Sequence, residues 1–232
     1  MSILKFAGCL VVIIGLFSFK SGNTCESFFP QKVGTKWEMT SYNDKDKVLS
    51  KSKSELASVD DIEGGLAATI NIETFDDKNK SMSKGSVVMK CTGDKFYMDM
   101  SNMFPKDQMA GMQDAEVEMT NEYMEFPSNP VAGQTLPDAE STMTMKMNGM
   151  TMMTMTIKMT NRKVEGYEDV TTPAGTFHCI KYVADSEVKS MMFKSKSHSI
   201  TYMAKNVGSV KMESFDEKGN LQSKMLLTAF SE

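Results

Sequence analysis

The sequence predicts a mainly β protein built from antiparallel strands, and three observations support this fold class. Apolar and polar residues alternate at period two over long stretches, as in half-buried strands. Asn148-Gly149 interrupts one such stretch, and this pair of residues favours a two-residue hairpin turn. A loop with an aromatic residue, acidic residues and a lysine recurs at 42–47, 75–80 and 215–220. The chain has 232 residues, which suits one large all-β domain.

Residues 1–22 have the character of a signal peptide. Lys5 provides the positive start, and the apolar stretch from Phe6 to Phe19 is shorter than the roughly 20 residues that a membrane-spanning helix needs. We therefore predict an exported protein, periplasmic or extracellular, with a single antiparallel β domain at 23–232. The alternative is an uncleaved anchor, which would be the protein's only contact with a membrane.

The rest of the chain divides into short strands and one short helix. Pro105 to Gln113 is the predicted helix, because proline is tolerated in a first helical turn and Met109 and Met112 have i, i+3 spacing. This helix could cover an otherwise open face of the sheet. The predicted strands outside the central hairpin are 35–42, 48–59, 66–75, 82–92, 95–100, 164–171, 176–185, 195–204, 209–215 and 221–230.

The central hairpin, residues 142–160, alternates methionine with threonine or lysine around Asn148-Gly149. Residues that face each other across a hairpin share one side, so the methionines on the two arms should lie together. The alternation changes parity at Met153, and an extra residue at Met152-Met153, a β-bulge, restores a continuous apolar face. The predicted ligand-facing methionines are Met143, Met145, Met147, Met150, Met152 and Met155.

Three hypotheses for this methionine face remain open from the residues alone. Methionine is flexible and suits promiscuous apolar surfaces, so the face could line a cavity for an apolar small molecule or lipid. Thioethers also select Cu(I), and the ligands would then be Met145, Met147, Met150 and Met152. A structural or interaction protein with a closed methionine core is the third hypothesis, because 24 methionines must supply much of the core.

Three cysteines remain after the predicted signal peptide: Cys25, Cys91 and Cys179. A disulfide is expected in an exported protein, and an odd number of cysteines leaves one free thiol. We favour a bond between Cys25 and Cys91, with Cys91–Cys179 as the alternative pairing.

Several function classes lack support in the sequence. The formal charge is −4 without a basic stripe, which argues against nucleic-acid binding. We find no nucleophile elbow, no P-loop and no H-E-x-x-H motif. His178 and His198 have no acidic partner at motif spacing. We therefore predict no enzymatic activity, no catalytic residues and no cofactor, and the oligomeric state stays open.

Several segments resemble a known family of exported proteins. Thr172-Pro173-Ala174-Gly175-Thr176-Phe177-His178-Cys179 is the most specific of them, and the others are 25–30, 34–37, 133–138, 164–166 and 207–211. The chain is similar in these segments to the uncharacterised TapB-like bacterial proteins. This resemblance implies a single curved antiparallel sheet, a half-barrel like the lipoprotein carriers LolA and LolB, with one or two short helices over its concave face. It brings no activity and no site residues. We expect methionines on the concave side to bind an apolar or lipid-like ligand.

Overall fold

The structure is a computed structural model that describes residues 28–99, 116–120 and 123–232. The predicted signal peptide at 1–22 lies outside these residues. The strands are β1 (Lys36–Asn43), β2 (Val48–Ile62), β3 (Gly65–Asp76), β4 (Ser81–Thr92), β5 (Lys95–Asp99), β6 (Glu116–Thr120), β7 (Tyr123–Pro127), β8 (Ala139–Met147), β9 (Met150–Thr172), β10 (Gly175–Ser190), β11 (Lys194–Ala204), β12 (Gly208–Phe215) and β13 (Leu221–Ser231).

All described strands belong to one antiparallel sheet in the order β6-β8-β9-β10-β11-β12-β13-β1-β2-β3-β4-β5-β7. The two edge strands, β6 and β7, are consecutive in the sequence, since β6 ends at Thr120 and β7 begins at Tyr123. Three Cα steps of 3.8 Å keep these two residues within roughly 11 Å of each other. The sheet must therefore curve strongly, so that its first and last strands approach each other.

The predicted half-barrel with one or two short helices over its concave face is wrong for the described residues. They form one large open antiparallel sheet and contain no helix, including none long and apolar enough to cross a membrane. The predicted helix, Pro105 to Gln113, lies outside the described residues. Edge strand β7 provides a cover instead, because the Phe126 ring packs against Tyr182 of β10 at 5.4 Å between centroids. An apolar sheet face can be buried by the sheet's own edge when curvature is strong enough.

The main core lies on the inner face of this curved sheet. Methionine supplies a large part of it, together with aromatic and aliphatic residues from β2 to β11. A second, smaller cluster is formed where β9 also contacts β12 and β13, which are not its neighbours in the sheet. Its buried members are Met39, Val170, Cys179, Tyr202, Ala204, Val210 and Leu227. The single tryptophan, Trp37, packs against both clusters.

The loop that recurs three times in the sequence has one structure. In each copy a side-chain oxygen at the start accepts two backbone N–H groups: Asn43 from Lys45 and Lys47, Asp76 from Lys78 and Lys80, and Asp216 from Lys218 and Asn220, all at 2.8–3.0 Å. Each loop also has one residue at positive φ, Asp46, Asn79 or Gly219. Short polar side chains stabilise these turns because they satisfy the local backbone donors.

The cysteines separate into one bonded and one free thiol within the described residues. Cys91 is disulfide-bonded, and Cys179 is free and buried. The alternative pairing of Cys91 with Cys179 is therefore wrong. Cys25 lies outside the described residues, so the pairing Cys25–Cys91 stays a prediction. Burial raises the pKa of the Cys179 thiol to about 12, which keeps this sulfur protonated and unreactive at neutral pH.

Candidate functional site

The methionine hairpin has the turn and the bulge that the sequence predicts. Asn148 and Gly149 have φ of 50° and 76°, as a type I′ turn requires. Met147 pairs with Met150, but Met145 pairs with Met153. Met152 is thus the extra residue of a β-bulge. Just beyond it, the apolar side chains of β9 stand at odd-numbered positions instead of even-numbered ones.

The hairpin does not place all its methionines on one ligand-facing surface. Met143, Met145 and Met155 are fully buried in the main core. Met147 is half-buried, whereas Met150 and Met152 are 66% and 50% exposed near the turn. The six methionines predicted from the sequence therefore divide between a packed core and an exposed tip.

This division also bears on the copper hypothesis. Met145 is buried inside the sheet, while Met152 is turned out by the bulge and Met150 is exposed at the tip. Four thioethers can bind one ion only if their sulfur atoms lie on the same face of the hairpin and close to a single point. Cu(I) binding through Met145, Met147, Met150 and Met152 stays a prediction that no contact in the hairpin favours.

An apolar cavity lies elsewhere on the inner face, and we call it the methionine cavity. Its volume is about 370 Å³. Six methionines contribute to its lining, from six different strands: Met98, Met124, Met159, Met203, Met212 and Met225. A smaller cavity of about 270 Å³ adjoins it and shares Met98, Met203, Met212 and Met225. Together they form an apolar space that none of the six predicted hairpin methionines lines.

Strand register explains one wall of the methionine cavity. Met212 pairs with Thr201 and with Met225, and Met225 pairs with Ser41, so all four point to the same side of the sheet. Successive inward positions on β11 are small hydroxyl residues, and so are several on the neighbouring strands. Those that line the cavity are Ser41, Ser186, Ser197, Ser199, Thr201, Ser209, Ser214 and Ser223. Small side chains leave the space that larger residues would fill.

Arg162 is the most unusual residue of the cavity lining. It is the single arginine of the sequence and is only 3% exposed. Its guanidinium donates to the carbonyl oxygens of Pro137 at 2.6 Å and Glu125 at 2.7 Å, and it lies 4.9 Å from the centre of the Phe126 ring. Burial lowers the pKa of Arg162 from its usual value, although an arginine stays charged at neutral pH.

A β-bulge turns Arg162 inward. Thr160 pairs with Asp185 and Lys163 with Val183, so two residues of β9 lie opposite one residue of β10. Asn161 has a positive φ of 52° there, and its amide donates to the Asp185 carboxylate at 2.7 Å. Strict alternation from the buried Met159 would point Arg162 outward. The bulge reverses the parity, as bulges beside functional sites often do.

Tyr182 lines the same cavity and is 5% exposed. Its ring contacts Phe126 at 5.4 Å and Phe28 at 6.5 Å between centroids, both edge to face. Among the described residues, its hydroxyl is the one buried side-chain polar atom without a hydrogen-bond partner. Burial raises the pKa of Tyr182, so this hydroxyl stays protonated and can donate a hydrogen bond.

The histidines have acidic partners that sequence spacing did not indicate, because the partners come from the neighbouring strand. Nδ1 of His178 lies 2.8 Å from Asp169, and Nδ1 of His198 lies 2.8 Å from Asp185. The first pair is exposed and the second is half-exposed. His198 points away from the cavity, since its neighbours Ser197 and Ser199 line it. In the part of the chain that the structure describes, no group of three acidic, histidine or cysteine side chains is arranged to hold a metal ion.

Sequence reasoning therefore missed Arg162, Tyr182 and the methionines of the cavity. One signal was available for Arg162: it is a single arginine in a chain with 25 lysines, between the predicted hairpin 142–160 and the predicted strand 164–171. The cavity methionines are spread from residue 98 to 225, and no local pattern connects them.

Comparison with known proteins supports the fold. The DUF3108-like family model matches residues 32–227. A "putative lipoprotein" from Parabacteroides distasonis is 23% identical, with a TM-score of 0.75 over 89% of this chain and 99% of that one. A "putative exported protein with YmcC-like fold" from Bacteroides fragilis is also 23% identical, with a TM-score of 0.74 over 90% of this chain and 100% of that one. No curated protein matches the chain.

These comparisons do not confirm the TapB-like name or the lipoprotein-carrier fold that the sequence resemblance implied. Similarity at this identity concerns the fold and carries no activity with it. The family match covers most of the sequence and nearly all the described strands. The chain belongs to the DUF3108-like family.

Proposed function

We propose that this is an exported, non-enzymatic protein that binds an apolar or lipid-like ligand in the methionine cavity. The apolar segment after Lys5 supports export, and both structural neighbours carry descriptions of exported or lipoprotein type. The ligand site is the cavity and not the methionine hairpin.

The observation that carries this proposal is the lining of the cavity. Its volume of about 370 Å³ lies within the range of small-molecule pockets, roughly 300–1,000 Å³. Its apolar walls are mostly methionine, whose flexible thioether adapts to ligands of different shape. The polar groups beside the apolar walls are Arg162, Tyr182, Glu213, Lys224 and the serine and threonine hydroxyls. This combination of many apolar and few polar contacts is typical of ligand sites.

The non-enzymatic part of the proposal rests on where the titratable side chains lie. His198 and Asp185 form a pair on the outer face of β10 and β11. The serines that line the cavity point to the opposite side of the same strands. Nucleophilic catalysis requires a hydroxyl within hydrogen-bond reach of its base. Here the backbone of β10 and β11 separates the cavity serines from the His198–Asp185 pair.

Mass spectrometry of the purified protein under native conditions tests ligand binding. We expect apolar small molecules to co-purify, and Met212→Trp to lose them, because the larger ring would grow into the cavity. Met150→Trp is the matched control, since Met150 is exposed at the hairpin tip. Equal ligand content in wild type and Met212→Trp, or no ligand in wild type together with no uptake of added fatty acid, would contradict the proposal.

Cu(I) binding remains the runner-up and is tested in the same preparation. Metal analysis after reconstitution with Cu(I) should show no bound copper that depends on the hairpin methionines. Copper that is lost in Met147→Leu and Met150→Leu, with the cavity unaffected, would support this alternative instead.

A further inference from the structure

We infer that the methionine cavity binds an amphiphile with an anionic headgroup, a carboxylate or a phosphate, and that Arg162 and Tyr182 hold this headgroup. The inference rests on the proposed function, which supplies the apolar part of the ligand. It adds the chemical class of the polar end and names the two residues that recognise it.

Arg162 provides a buried positive charge that forms no salt bridge with a carboxylate of the described residues. Its two described hydrogen-bond partners are carbonyl oxygens. Asp138 and Glu125 act on it only through space, and the Glu125 carboxylate is bound to Lys95 at 2.6 Å. A buried charge with neutral partners costs free energy that an anion would offset. Arginine has five N–H donors, and its two bonds to described residues use two of them.

The residue type also fits an anionic group. Apart from two histidines, every other basic residue of the chain is a lysine, and the lone arginine lies in this cavity. A planar guanidinium can bind the two oxygens of a carboxylate or phosphate at once and can stack on an aromatic ring, as Arg162 does on Phe126. A lysine at the same place would offer a point charge without either property.

The backbone holds Arg162 in this orientation from the outer face. Asn161 keeps the bulge at positive φ and is anchored to Asp185, which His198 contacts in turn. A bulge interrupts the hydrogen bonding of the sheet, so it carries a cost that a purely structural strand avoids. Its effect here is to place the charge at the cavity wall.

Tyr182 is the second and independent observation. Its hydroxyl is a buried donor with no hydrogen-bond partner among the residues that the structure describes, and it lines the same cavity as Arg162. An unpaired buried donor costs free energy until a ligand accepts its hydrogen bond. An anionic oxygen between Arg162 and Tyr182 would satisfy both residues.

A structural role accounts for part of what Arg162 does, since its two bonds tie β9 to β7 and to the segment before β8. The Tyr182 hydroxyl has no comparable structural role, because it bonds to none of the described residues. Its ring packs on Phe126 and Phe28, and Tyr182→Phe keeps both ring contacts. This variant therefore removes the proposed headgroup contact without removing a contact that the fold uses.

Titration calorimetry with dodecanoate, dodecyl phosphate and methyl dodecanoate tests the inference on the purified protein. We expect at least one of the two anions to bind about tenfold more tightly than the neutral ester, because a hydrogen bond to a charged group is stronger than one to a neutral group. The tighter of the two anions identifies the headgroup. Tyr182→Phe should weaken anion binding about tenfold, leave the ester unchanged and not lower the thermal midpoint.

Tyr202→Phe is the matched control, because Tyr202 is also buried but belongs to the second cluster, where burial and the nearby Glu168 raise the pKa of its hydroxyl. We expect it to lower the thermal midpoint and to leave binding of all three probes unchanged. Arg162→Lys should weaken binding of both anions and reduce the protein's preference for the anions over the ester. Equal affinity for anions and ester, unchanged by Tyr182→Phe, would overturn the headgroup inference alone. Absence of binding by all three probes would overturn the proposed function as well.

Discussion

The methionine hairpin and the methionine cavity contain the same residue type in two different structural roles. The hairpin concentrates most of its methionines within residues 143–155, and those that are fully buried close a packed core, whereas Met159 lines the cavity. The cavity collects its methionines from six separate strands and leaves space between them. The comparison teaches that a dense pattern in sequence indicates a strand face, whereas a ligand site depends on which strands the sheet brings together.

The extent of the neighbouring strands decides the exposure of the hairpin. Strand β10 ends at Ser190, which pairs with Met155. Between Met155 and the hairpin turn, β9 has no β10 residues beside it. Met150 and Met152 therefore extend past the main sheet and are exposed. Met143 and Met145 lie closer to the body of the sheet and are buried.

The largest expected difference between the two regions is in stability. Met145→Ala should lower the free energy of unfolding by about 2–5 kcal/mol, because it leaves a void in a closed core. Met212→Ala should cost less than about 1 kcal/mol, because Met212 already borders a space and is exposed. Denaturant unfolding measures both. Equal costs would show that the two regions are packed alike.

The bulge that directs Arg162 provides the next test. Asn161→Val should lower the free energy of unfolding by about 1–2 kcal/mol, because a β-branched residue is disfavoured at positive φ. Asn161→Val should also weaken the binding of dodecanoate more than the binding of methyl dodecanoate. Asn161→Gly is the control, since glycine accepts this φ but lacks the bond to Asp185. If valine leaves stability and the preference for dodecanoate unchanged, the bulge does not hold Arg162 in place.

Asp185, on the outer face beside the bulge at Asn161, should make the fold acid-sensitive to a small degree. The hydrogen bond from Asn161, followed by the contact with His198, holds the pKa of Asp185 below its usual value of 3.8. A carboxyl with a lowered folded-state pKa stabilises the fold above pH 3.8, and this stabilisation is lost as the pH falls through the lower value. Because the side chain is half-exposed, we expect about 0.5 kcal/mol or less.

Unfolding of wild type and Asp185→Asn at pH 7 and pH 3 measures this contribution. The stability difference between the two proteins should shrink at the lower pH. A difference that grows on acidification would contradict the sign of this effect.

The smallest effect is expected at the tip of the methionine hairpin. Met150→Ala should change the free energy of unfolding by less than about 0.5 kcal/mol, because the side chain is mostly exposed. Ligand binding should not change either. A loss comparable to that of Met145→Ala would mean that the tip is buried in solution, for example against another copy of the chain.

Much of the fold followed from local sequence patterns. The Asn148-Gly149 turn, the bulge at Met152 and the three related loops depend on φ preferences, parity and side-chain bonds within a few residues. The helix from Pro105 to Gln113 rested on one proline and one methionine pair, and no described residue is helical. The bulge at Asn161 had no comparable signal, because a reversal of parity at one polar residue looks like an ordinary irregularity.

The sequence by itself determined an antiparallel strand protein with a methionine-rich core, because alternation and turn chemistry act between near neighbours in the chain. Only the tertiary structure decided where the cavity lies and that Arg162 and Tyr182 meet in it. The curvature of the sheet brings β7 over β9 and β10, and contacts between residues that are far apart in sequence follow from that curvature.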